Sequence, residues 1–158
     1  MVAEPVIVEF AEQQRERVVR HMEAMAHAGR GWINLTPGLD MDVPPPAPSP
    51  LTSLFSSRGP TVPLGTWTAA HRRHPATVGI QHPAGPQASA QLAELGVPIP
   101  DTWRLVSDHP RRGLVVLPPP GTSAAELDAV LAWLIAATGA LCPWPRTGEW
   151  RALCHEPG

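Results

Sequence analysis

The stretch that decides the fold is Trp103-Arg104-Leu105-Val106-Ser107-Asp108-His109-Pro110-Arg111-Arg112-Gly113-Leu114-Val115-Val116-Leu117. Trp103 to Asp108 reads as a strand and Leu114 to Leu117 as a buried apolar strand. Pro110 and Gly113 supply turn chemistry between them. A hairpin therefore sits in the middle of the second half of the chain.

On its amino-terminal side, Thr77 to His82 reads as a strand, and Pro86 to Leu95 as a short helix ended by Gly96. On its carboxyl side, Ser123 and Glu126 have the spacing of a capping box. They open a helix to Ala140 whose stripe is Leu127, Val130, Leu131, Leu134 and Ile135. Glu149 to Cys154 closes as a strand. The order is βαββαβ over residues 77–155. One local pattern repeats within it. Pro98-x-Pro100, Trp103-Arg104 and His109-Pro110 match Pro143-x-Pro145, Trp150-Arg151 and His155-x-Pro157. The expected fold class is α+β, with a ferredoxin-like split βαβ of strand order 4-1-3-2 in this half.

Residues 1–70 add an N-terminal helix, two extra strands and a proline-rich loop at 39–60. The expectation is one domain over 1–158, with 71–158 as the pseudo-symmetric unit. Ile7, Phe10, Ala11, Gln14, Val18, Met22 and Met25 recur at helical spacing, with Pro5 at the first position and Gly29 or Gly31 at the end. Val6 to Val8 stays open between helix and strand. Gly31 to Thr36 and Val62 to Thr68 read as strands, the latter with Trp67 inward. Val43 to Pro50 cannot form a helix or a central strand, because proline lacks the donor and fixes φ. It reads as a loop, with a PxxP ligand motif at Pro45 to Pro48 as its functional alternative.

Hydrophobic residues make up 43% and charged residues 16% of the 158, with a formal net charge of -2 and a pI near 6.4. This balance disfavours nucleic-acid or anionic-membrane binding. No apolar run approaches the roughly 18 residues of a membrane span. Two cysteines, Cys142 and Cys154, are too few for a disulfide scaffold, and their spacing along the last strand predicts two free thiols. A cytoplasmic location is the corresponding expectation.

No nucleotide, hydrolase or metalloprotease motif is present, so candidate sites come from the expected sheet. The 4-1-3-2 order places His71, Arg72, Arg73 and His74, before the first strand, on one rim with His109, Arg111, Arg112 and His155. His82 falls at the opposite end. Arg72, Arg73, Arg111 and Arg112, with His71 and His109, are the candidate contacts for a small anionic ligand, since guanidinium forks match carboxylate and phosphate. His74 and His155 are the candidate acid or base groups. A set of His71, His74, Cys154 and His155 has no zinc-signature spacing, and strand neighbours diverge, so no metal and no cofactor is expected. Trp144, between Pro143 and Pro145, is the candidate partner contact.

The functional expectation is a non-catalytic binding or assembly module, for a small anionic ligand or a protein partner, with homodimerisation through the sheet face or an edge as one form. The alternative is a small enzyme using histidine acid/base chemistry.

Overall fold

The computed structural model of the protein describes residues 3–40 and 62–157. The strands are β1 (Val6–Ala11), β2 (Trp32–Leu39), β3 (Leu64–Thr68), β4 (Thr77–Gln81), β5 (Arg104–His109), β6 (Gly113–Leu117) and β7 (Arg146–His155). The described helices are α1 (Glu16–Ala28), α2 (Ala88–Glu94) and α3 (Ala124–Ala140). All seven strands join one antiparallel sheet in the order β1-β7-β2-β3-β4-β6-β5.

Local chemistry explains the elements. In β1 the β-branched Val6, Ile7 and Val8 favour an extended chain, and alternation buries Val8 and Phe10 while Ile7 and Glu9 face out. The helical spacing read from Ile7 onward is thus a strand as far as Ala11. Only from Glu16 does the pattern run helically, with Val18, Val19, Met22 and Met25 buried and Gly29 in the left-handed conformation as its cap. The expected capping box opens α3: the Ser123 hydroxyl accepts from the Glu126 N–H at 3.2 Å.

The element order βαββαβ over 77–155 is present, but the ferredoxin-like strand order is not. β4, β6 and β5 stand as the first, third and second strands of a split βαβ. β7, the fourth strand, pairs with β1 and β2 instead of β4. The place beside β4 belongs to β3, because only the short connection 69–76 separates them and successive strands so linked pair as a hairpin. β6 and β7 consequently run parallel with β4, β3 and β2 between them. β1 and β2 likewise run parallel around β7, so strands from residues 1–70 and 71–158 interleave in one sheet.

One face of the sheet carries the core. Val8, Phe10, Trp150, Ala152, Cys154, Ile33, Leu35, Trp67, Val78, Ile80, Leu114 and Val116 pack with the inner faces of α1, α2 and α3 in one cluster. Gly65 lets α3 approach β3, since a Cβ there would lie 2.7 Å from Thr138 Oγ1 and 3.0 Å from Leu134 Cδ1.

Candidate functional site

The alternate residues of the same strands form the other face, and no helix among the described residues covers it. Strand register arranges this face in lateral rows. One row reads Ile7, Leu153, Asn34, Thr66, Gly79, Val115 and Ser107 across all seven strands. A second, at the end where β7 finishes, starts with His155, Trp32, Thr68 and Thr77. The central strands β2, β3 and β4 contain no charged residue. Among the described residues, charge on this face is confined to the flanks: Glu9 and Arg151, paired at 2.8 Å, Glu149, and Arg104.

Within the rows lies a connected polar and aromatic group. The Thr66 hydroxyl donates to Asn34 Oδ1 at 3.0 Å. His155 Nε2 lies 3.4 Å from the Asn34 side-chain nitrogen, Nδ2. The His155 ring stacks on Trp32 with centroids 4.6 Å apart and planes 12° from parallel. Trp32 is 41% exposed, so the stack leaves part of the indole open. Sequence reasoning named His155 and missed Trp32, Asn34 and Thr66. The signal available was the alternation in β2, which puts Trp32, Asn34 and Thr36 opposite the buried Ile33, Leu35 and Pro37.

The candidate arginines do not share a rim. β4 and β5 run parallel, so the β5–β6 turn lies at the carboxyl end of β4, beside His82. His109, Arg111 and Arg112 therefore stand at one end of the sheet. His71, Arg72, Arg73, His74 and His155 stand at the other, about 16 Å away along five strand residues. The expectation that put His82 opposite His109 is corrected by the same geometry. Two of the histidines have local structural work. His71 Nδ1–H donates to the Gly29 carbonyl at 2.7 Å, tying the β3–β4 turn to the end of α1. His109 Nδ1 accepts from the Arg111 and Arg112 N–H groups at 3.1 and 3.2 Å, closing its own turn. His74 is exposed and bridges His71 through the backbone.

Cys154 faces the helices and His155 the opposite side, so they form no nucleophile–base pair. Burial, with Glu156 nearby, pushes the Cys154 thiol up to about 11. Cys142 and Cys154 are both free. Among the described residues no group of three His, Cys, Asp or Glu is placed to hold a metal. Trp144 is half-buried rather than open, with the Cys142 thiol donating to its carbonyl. The Pro45 to Pro48 motif lies outside the described residues.

At the His82 end, Asp108 anchors α2. Its carboxylate accepts from the Ala88 and Ser89 N–H groups, each at 3.0 Å, and from the Ser89 hydroxyl at 2.6 Å. Burial pushes the Asp108 carboxyl up, but the Ser89 and Ala88 hydrogen bonds, aided by His82, outweigh it and leave it below its ordinary value. His82, 1% exposed, accepts the Ala84 N–H on Nδ1. Burial lowers its pKa, opposed by Asp108, and Nε2 has no hydrogen-bond partner.

No helix among the described residues is long and apolar enough to cross a membrane. No family model, curated protein or solved structure matches the chain.

Proposed function

We propose that the protein is a non-catalytic binding module that receives a partner protein on the open face of its sheet. One observation carries this reading: all three described helices lie on one side of seven strands, and the other side is a broad neutral surface. A two-layer domain ordinarily buries a sheet on one face and solvates the other with charge. Here β2, β3 and β4 offer Trp32, Asn34, Thr36, Leu64, Thr66, Thr68, Thr77, Gly79 and Gln81, and apolar Ile7 with Leu153 and Val115 with Leu117 flank them. Depletion of charge at the centre with an aromatic and apolar residues around it is the composition of interface cores. The separation of Arg72 and Arg73 from Arg111 and Arg112 favours this surface over a four-arginine anion site.

The test is site-specific photocrosslinking in the native cells, with a benzophenone amino acid at Thr66 or Thr36 and, as control, at the exposed Ala136 of α3. The reading expects a discrete adduct from the two sheet positions, lost when Asn34→Arg is added. Adducts from Ala136 alone, or none from either sheet position, would overturn it.

A further inference from the structure

The sheet ends in two outer strands of opposite character. β5 carries Arg104, Asp108 and His109, and its register shifts between Leu105 and Ser107, so the edge is bulged and charged. These are the devices by which proteins stop sheets from adding strands. β1 lacks them. Its six residues pair with β7 in unbroken register, and Val6 and Ile7 are 43% and 58% exposed. Its one charged residue, Glu9, is held by Arg151 of β7. The outer edge of β1 pairs with no described strand.

We infer that this edge is an interface with a second copy of the chain, the two β1 strands pairing antiparallel about a two-fold axis at Ile7. Two-fold pairing sets residues opposite each other whose numbers have a constant sum, and opposite residues must point to the same face. Centred on Ile7, Ile7 meets Ile7 of the second copy on the open face and Val6 meets Val8 beneath. Glu9 then meets Pro5, and the two Glu9 side chains stand about 13 Å apart along the strands. Centring on Glu9 would set the two carboxylates against each other, so charge selects the Ile7 register. The charge pattern also selects a second copy over a basic peptide: β1 presents one acid, already paired, and two exposed aliphatic side chains. The product is a continuous sheet of twice the described strands, with all the described helices on one side. The interface is one strand pair wide, which places the dimer in the weak class of small interfaces.

This interface leaves Thr36, Asn34 and Thr66 uncovered, so it stands or falls separately from the open-face reading. Sedimentation velocity across the micromolar range tests it. The wild type should show a concentration-dependent monomer–dimer equilibrium. Ile7→Lys should raise the dimer dissociation constant by about tenfold or more, since like charges then face across the axis. An equimolar mixture of Ile7→Lys and Ile7→Glu should restore the dimer, which also shows that both variants fold. Val106→Lys, on the bulged outer strand, should leave the equilibrium unchanged. A wild type monomeric throughout, a dimer indifferent to Ile7→Lys, no restoration on mixing, or dissociation by Val106→Lys would each overturn the inference.

Discussion

The titrating residues at the carboxyl end of β4 give the fold a definite pH signature. His82 is neutral when folded because burial lowers its pKa below the ordinary 6.5. Its contribution is complete above that value. As pH falls below it, the unfolded chain takes up the proton first, and stability drops until the folded pKa is reached. Asp108 acts lower on the scale: its contribution is present above its ordinary 3.8 and is lost as pH falls through its depressed folded value. Thermal melts from pH 7 to pH 5 should therefore decline, and His82→Gln should flatten that decline. Asp108→Ala removes the acceptor for Ala88 and Ser89 and should cost about 1–2 kcal/mol, as loss of a helix cap does. The thiols differ in the same way. A thiol reagent should modify half-buried Cys142 in the native protein, while Cys154, pushed up to about 11, should react only on unfolding. At this scale the chain reveals residue types but not their partners. The free thiols are legible from spacing, whereas the Thr66–Asn34–His155 contact joins three strands whose neighbours are set by topology.

At the scale of elements, the closest constraint is the seat of α3 on β3. Gly65→Ala would press a Cβ into Thr138 Oγ1 and Leu134 and should cost about 1–3 kcal/mol in denaturant unfolding. Thr138→Ala makes room at the same point and removes a buried hydroxyl that has no partner, so the double variant should recover part of the loss. Gly113, at the start of β6, has a positive φ of 87° and lies so close to the Ile80 carbonyl that no side chain fits. Gly113→Ala should cost about 2–3 kcal/mol. Elements with their own punctuation are legible in the sequence: the Ser123–Glu126 box of α3, the Pro110–Gly113 turn, and Gly96 after α2. β1 is not, because its apolar residues at 7, 10 and 11 satisfy a helical spacing while those at 6, 8 and 10 satisfy an alternating one. Only the burial of Val8 and Phe10 against Ala152 and Trp150 decides between them.

At the scale of the molecule, the repeated pattern in the second half led to the right element order and the wrong neighbour for β7. A repeat describes how its own elements follow one another. It does not say that a hairpin from elsewhere in the chain, β2–β3, enters the sheet between the fourth strand and the first. The displacement matters for function, because it builds the neutral central strands that the proposed binding surface uses and separates the arginine pairs. The proposed binding role requires that surface to be open. The six tryptophans report on it directly, since Trp32 lies on it while Trp67 and Trp150 lie under the helices. With 5-fluorotryptophan incorporated and Trp32 assigned through Trp32→Phe, a soluble gadolinium chelate is titrated against the purified protein and fluorine linewidths are followed. An open face should broaden the Trp32 resonance strongly while Trp67 and Trp150 stay sharp; a Trp32 resonance as protected as that of Trp67 would show the face to be covered.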